Sequence, residues 1–291
     1  NEQGGALFIK SGEAELSTTI VKTNFRASQG TALIRAIGGN VVLKDKDETV
    51  LLVGNNQLAL DISDGAQVRY ELPAPLGRYA FIQDGSSTYK FEPGEHTGDF
   101  PFACPAGSVG DSPAALSQRS QACARVCPAG RYCGAGTIVP TECPVGSYCA
   151  AGSSAPTVCK PGTVGRRKGL ESSKECDPCP AGSWCSAGLM IACGANTYQP
   201  LAKQIYAGAC KQCPRFAESG EKSASIEDCK CQEGYYDSRN SSAAAVDEVS
   251  CKPCPIGSEC KASGYTMALL PLLPGYWRTN DNSSDLRRCP D

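Results

Sequence analysis

No cysteine precedes Cys104, and the whole chain carries one histidine, His96, with two methionines and two tryptophans. A single histidine excludes His-rich metal sites and leaves little for imidazole-based catalysis. Charge of one sign is not in excess: 28 Lys and Arg face 30 Asp and Glu, for a net charge of -2, which removes the basic footprint that nucleic-acid binding needs. Long apolar runs are missing too. The most apolar stretch, from Met267 to Pro274, is broken by Pro271 and falls well short of the about 18 residues of a spanning helix, so no membrane-spanning segment is expected. No charged-then-apolar leader opens the sequence at Asn1, and something upstream is expected to have been removed. Up to residue 100, no capping pattern is followed by a long stripe of 3.6-residue period, so helices are not expected there.

What is present is cysteine, 19 of them, all between Cys104 and Cys289, with 31 glycines and 20 prolines in the chain. Cysteine at this density serves small units whose apolar surface does not offset chain entropy, and the bridges persist only in an oxidising compartment. The chain is therefore expected outside the cell or on its surface, by way of the secretory pathway. Two sequons agree with that, Asn240-Ser241-Ser242 and Asn282-Ser283-Ser284, and glycans are expected on Asn240 and Asn282. The step in composition divides the chain. The expected organisation is β-coils over 1–85, a junction over 86–103, disulfide repeats over 104–260 and the start of a following segment over 261–291.

In the cysteine-free part, Gly5-Ala6-Leu7-Phe8-Ile9 recurs as Gly30-Thr31-Ala32-Leu33-Ile34, and Thr19-Ile20-Val21 as Thr49-Val50-Leu51. Further short β-prone runs lie at Glu15-Leu16, Val41-Leu43, Leu58-Leu60 and Val68-Tyr70, separated by Gly, Asn or Asp. Short strands with a coil period of about 25 to 30 residues suit a parallel β-helix, in which stacked coils bury what a single coil leaves wet. The charge run Lys44-Asp45-Lys46-Asp47-Glu48 alternates in sign and reads as a solvated turn. Asp61-Ile62-Ser63-Asp64-Gly65 also reads as a turn, since it misses calcium-loop spacing. His96, in Pro93-Gly94-Glu95-His96-Thr97-Gly98, reads as part of a turn-rich junction.

Four times the chain writes C-P-x-G-x-x-C: Cys127–Cys133, Cys143–Cys149, Cys179–Cys185 and Cys254–Cys260. Proline fixes φ and the glycine accepts φ above zero, so the intervening residues fold into a tight turn that brings the sulfurs together. Tyr132, Tyr148 and Trp184 precede the second cysteine, where a ring would cover the bridge; Glu259 departs from this. The other cysteines fall into longer loops, Cys104–Cys123, Cys159–Cys176, Cys193–Cys210, Cys213–Cys229 and Cys231–Cys251, which leaves Cys289 unpaired. Pairing of sequential neighbours covers all four short copies; crossed pairing, Cys127 with Cys143 and Cys133 with Cys149, stays open beside it. Closing a loop of about 15 residues stabilises by about 3 kcal/mol in the chain-entropy model, so reduction is expected to unfold this half. The C-x-x-C pairs Cys176–Cys179, Cys210–Cys213 and Cys251–Cys254 invite zinc, but successive pairs stand farther apart than in a zinc ribbon. No metal, cofactor or catalytic residue is expected.

Several of these stretches resemble known families. Cys104 to Cys133, with C-P-A-G, Gln118-Ser120-Gln121 and then Cys-Pro-Ala-Gly-Arg-Tyr-Cys, is similar to the ephrin-receptor-like cysteine-rich repeats of large protist and algal surface proteins. That resemblance covers about residues 104 to 260. Cys229-Lys230-Cys231-Gln232-Glu233-Gly234-Tyr235-Tyr236 is similar to their EGF-like variants, and crossed pairing would instead resemble tumour-necrosis-factor-receptor modules. Pro274-Gly275-Tyr276-Trp277-Arg278 with Arg288-Cys289-Pro290-Asp291 looks like the segment that comes after such repeats. Gly4 to Ile9, a Thr-rich strand and Asn24-Phe25 resemble the last coils of polymorphic-outer-membrane-type β-helices. Together they resemble the order found in surface adhesins and flagellar-hair (mastigoneme-like) proteins.

The expected fold is therefore mainly β: C-terminal coils of a parallel β-helix, then an extended array of small disulfide-stapled modules with little regular secondary structure. The expected function is non-enzymatic, a structural or adhesive segment of a larger surface or filament-forming glycoprotein. Its partners are expected to be copies of itself or other extracellular structural proteins, with glycans possible and nucleic acid excluded. A receptor ectodomain binding a protein ligand is the first alternative. A carbohydrate-active β-helix enzyme is the second, and it would need a line of carboxylates that the Asp and Glu spacing does not supply.

Overall fold

The computed structural model describes residues 7–9, 13–17, 34–37, 40–44, 58–63, 65–97, 100–239 and 249–290. The chain is mainly strand, with many small disulfide-linked modules. It divides into two compact parts, residues 1–143 with 149–157, and residues 144–148 with 158–291.

The first part opens on ten strands: β1 (Leu7–Ile9), β2 (Glu13–Ser17), β3 (Ile34–Ile37), β4 (Asn40–Lys44), β5 (Leu58–Ser63), β6 (Gln67–Glu71), β7 (Arg78–Tyr79), β8 (Thr88–Phe91), β9 (Gly94–Thr97) and β10 (Phe102–Ala103). Two four-stranded sheets form, in the orders β1-β3-β5-β9 and β2-β4-β6-β8. In each, the first three strands are parallel and the last runs antiparallel. Alternation explains the burial. Val41 and Leu43 of β4 stand opposite Val68 and Tyr70 of β6, and all four side chains are buried while the residues between them are not. Leu60 and Ile62 of β5 join the same core with Ala74, Ala80, Phe91 and Phe100. Phe100 meets Tyr70 edge-on at 5.1 Å and Phe91 at 4.7 Å, within the range in which ring quadrupoles attract.

Three expectations change here. Leu7 pairs with Ile34 rather than with Ala32, so the apparent sequence repeat sits two residues off the structural one. A slip by two preserves strand parity, which is why the pattern still read as β. Asp61–Ser63 belongs to β5, and the turn comes only at Gly65, with φ +76° and the Ala66 N–H donating to the Ser63 carbonyl. His96 lies in β9, paired with Leu60, and not in a turn. The Thr19–Val21 and Thr49–Leu51 repeat and the charged run from Asp45 to Glu48 lie outside the described residues.

One buried side chain helps tie the sheet core to the first disulfide loop. Gln118 ends a short 3-10 turn, Ala115–Gln118, inside the Cys104–Cys123 loop. Its amide oxygen accepts from the Ala74 N–H at 2.6 Å, its amide nitrogen donates to the Ala74 carbonyl, and its own carbonyl accepts from Ala80. Only 2% of Gln118 is exposed. Removing the amide would strand two buried main-chain groups, so Gln118→Ala is expected to lower stability by about 1–3 kcal/mol. Chemical denaturation of the oxidised protein checks this; an unchanged midpoint would show that water replaces the amide.

Candidate functional site

Eighteen cysteines form nine bridges, each between sequential neighbours: Cys104–Cys123, Cys127–Cys133, Cys143–Cys149, Cys159–Cys176, Cys179–Cys185, Cys193–Cys210, Cys213–Cys229, Cys231–Cys251 and Cys254–Cys260. Cys289 is free and exposed. The two sulfurs of each C-x-x-C pair enter different bridges. In Cys176–Cys179, for example, the intervening Asp177-Pro178 forms a short strand paired with Thr163-Val164.

The short and long loops turn out to be one module. The first half-cystine is always followed, three residues on, by a residue with positive φ: Gly107, Gly130, Gly146, Gly162, Gly182, Asn196, Phe216, Gly234 and Gly257. The turn is closed by a main-chain hydrogen bond, as from Ser108 to the Pro105 carbonyl, Thr163 to Lys160 and Ser258 to Pro255. A Ser or Thr hydroxyl at the next position donates to the same carbonyl in Ser108, Thr163 and Ser258. That is the physical reason for a hydroxyl after the glycine, a signal present in the sequence and missed there. In the long loops a 3-10 turn sets the second half-cystine: the N–H groups of Cys176, Cys210 and Cys229 donate to Ser173, Ala207 and Ile226. The last of these turns is capped by Ser225 and Asp228.

The positive-φ residue also joins successive modules. In the first part, its carbonyl accepts from the next module's first cysteine, Cys127 to Gly107 and Cys143 to Gly130, while its N–H donates forward, Gly107 to Cys133 and Gly130 to Cys149. In the second part the same pair recurs: Cys179 to Gly162 with Gly162 to Cys185, Cys193 to Gly182 with Gly182 to Gln199, and Cys254 to Gly234 with Gly234 to Cys260. Each link contributes about 1 kcal/mol net and fixes an orientation. Apolar side chains from one module then cover the next bridge: Val109 packs on Cys127–Cys133, Val164 on Cys179–Cys185 and Tyr236 on Cys260. Tyr132, Tyr148 and Trp184, expected to cover their own bridges, are half-buried.

Phe216 is the exception. A bulky side chain at φ +62° is disfavoured, and its ring lies flat on Tyr235 at 4.3 Å with the Arg215 guanidinium 5.7 Å from its centroid. The link slips by one residue there, since Gln232 rather than Cys231 donates to the Phe216 carbonyl.

Two polar features fall outside the module. Arg239 forks onto Glu227 at 2.9 and 3.1 Å and reaches Asp237 at 2.7 Å. Donating hydrogen bonds to Glu227, then to Asp237, holds its guanidinium pKa above the usual arginine range, so its charge is permanent. An open depression of about 610 Å³ is lined by Asn196, Glu218, Ser219, Ser223, Asp228 and Lys230 among others; the Asp228 carboxylate there is committed to the N–H groups of Ala224 and Ser225. Asn282 is exposed, in the segment between the paired strands Tyr276-Trp277 and Arg287-Arg288. Asn240 lies outside the described residues. Among the described residues no helix is long and apolar enough to cross a membrane.

No protein-family model and no curated protein matches this chain.

A Cβ on Gly182 would sit 2.2 Å from the Lys222 carbonyl oxygen, at φ +76°. Gly194 has nothing within 4 Å. Gly182→Ala is expected to cost more than the about 1–2 kcal/mol of a left-handed alanine, whereas Gly194→Ala should stay within about 0.5 kcal/mol of the parent. Equal losses in the two variants would refute the dependence on the module's fourth residue.

Proposed function

We propose that this chain is an extracellular structural or adhesive protein, a segment of a larger surface or filament-forming glycoprotein, acting through the surface of its repeated modules. One observation carries the reading: a single small module recurs nine times and is joined to its neighbours by main-chain hydrogen bonds, which leaves most side chains free to vary at the surface. Nine disulfides agree with a secreted or extracellular protein. The hairpin strand Leu189–Ala192 exposes all four of its side chains, as a contact surface requires. The parallel ladders β1-β3-β5 and β2-β4-β6 support reading the N-terminal strands as coils of a β-helix, and the module sequences support the ephrin-receptor-like resemblance.

Cys289 adds to this. Its N–H donates to the carbonyl of Gly275, which has φ +84°, so it occupies the place that a first half-cystine takes in the other modules. We take its partner to be a cysteine beyond residue 291 or in a neighbouring chain. Non-reducing peptide mapping of native material is expected to find Cys289 bridged and the Asn282 peptide carrying a glycan. A monodisperse monomer with a free Cys289 thiol and an unmodified Asn282 would overturn the proposal.

A further inference from the structure

The array of modules starts before the first cysteine. Residues 74 to 80 read Ala-Pro-Leu-Gly-Arg-Tyr-Ala, and residues 127 to 133 read Cys-Pro-Ala-Gly-Arg-Tyr-Cys. The turn, the strand pairing and the forward links of the second are present in the first, while the Gln118 amide takes the Ala74 N–H and carbonyl that in Cys127 bond to Gly107 and Gly152. Gly77 has φ +79° against +76° for Gly130. The Arg78 N–H donates to the Pro75 carbonyl as Arg131 donates to Pro128, at 3.1 and 3.3 Å. The Arg78 guanidinium donates to the Pro101 carbonyl at 2.9 Å, and that of Arg131 to Pro140 at 3.0 Å. Arg78-Tyr79 pairs antiparallel with Phe102-Ala103, as Arg131-Tyr132 pairs with Thr141-Glu142.

The links to the next module are also in place. The Cys104 N–H donates to the Gly77 carbonyl at 2.8 Å, and the Gly77 N–H to Gly110 at 2.7 Å. Crowding at the fourth residue matches as well: a Cβ on Gly77 would meet the Gly136 carbonyl oxygen at 2.4 Å, and one on Gly107 the Gly152 carbonyl oxygen at 2.5 Å. What differs is the sulfur. Ala74 and Ala80 stand where the half-cystines stand, 5% and 0% exposed, inside the sheet core with Leu60, Val68 and Phe100.

We infer that Ala74–Ala80 is a further copy of the cystine module that has no cystine, seated on the sheet core, and that it is the surface on which the first bridged module docks. Burial in the core and the Gln118 amide hold it closed where the other copies use a bridge. The same turn without sulfur recurs at Leu272–Arg278, where Tyr276 donates to the Leu273 carbonyl across Gly275 and Tyr276-Trp277 pairs antiparallel with Arg287-Arg288. The module's main-chain pattern therefore forms wherever its ends are held together, by a disulfide or, at Ala74–Ala80, by burial and the Gln118 amide.

The double variant Ala74→Cys/Ala80→Cys, refolded with oxidised glutathione as the electron acceptor, tests this. Peptide mapping without reduction is expected to show the two introduced thiols joined to each other, the nine natural bridges unchanged, and a raised denaturation midpoint. A folded variant with both introduced thiols free, or joined elsewhere, would overturn the inference. Should two sulfurs overfill the core and prevent folding, hydrogen exchange of the natural chain decides. The amides of Gly77, Arg78 and Cys104 are then expected to be protected to the same degree as those of Gly130, Arg131 and Cys143. Exchange at the rate of an unstructured loop refutes the copy.

Discussion

One residue per module carries the organisation of the cysteine-rich region. At the fourth residue of each module, counted from its first half-cystine, the backbone turns into the left-handed region, and in seven of the nine modules both its N–H and its carbonyl bond to the following one, while Phe216 and Gly257 are linked through the carbonyl. Glycine is favoured there by conformation, and at Gly107, Gly162 and Gly182 also by lack of room, as the Lys222 carbonyl beside Gly182 shows; Gly234 has open space around it. Disulfides close the modules, but this residue orients one against the next. An array built this way does not rely on a large apolar core; small apolar side chains such as Val109 and Val164 only seal the sulfurs of the neighbour.

Much of this was legible in the sequence, and the parts that were not have definite causes. Cysteine, proline and glycine in C-P-x-G-x-x-C each impose a backbone requirement, so the four short copies stand out. The other five copies are masked because the second half-cystine lies 16 to 20 positions on, as in Cys104-Pro105-Ala106-Gly107 with Cys123, because the proline moves or vanishes in three, as in Cys159-Lys160-Pro161-Gly162, and because Asn196 and Phe216 take the glycine's place. Asn tolerates positive φ through its own polarity, while Phe216 is held by stacking on Tyr235, which no local rule predicts. The 3-10 turns ahead of Cys176, Cys210 and Cys229 span too few residues for a periodic signal.

In the N-terminal strands the limit was register. The repeat Gly5–Ile9 to Gly30–Ile34 identified strand-forming segments, yet hydrogen bonding aligns Leu7 with Ile34. Apolar residues at alternate positions satisfy either alignment, and only contacts from the neighbouring sheet, such as Leu60 and Ile62 against Val68 and Tyr70, choose between them. Turn-forming composition misled in the same way at Asp61–Ser63 and His96, where pairing with a neighbouring strand outweighs local preference.

No bridge encloses or crosses another, since every pairing joins cysteines adjacent in sequence and none spans more than 20 residues. During synthesis at about 5–20 residues per second, each module thus holds both of its sulfurs within seconds of its first cysteine emerging, and it waits for nothing farther along the chain. Oxidation can keep pace with the growing polypeptide, module by module from the N-terminal side, and an error or a cut in one loop leaves the covalent frame of the others whole. A chain of this design can be lengthened by further copies without altering how any earlier copy folds.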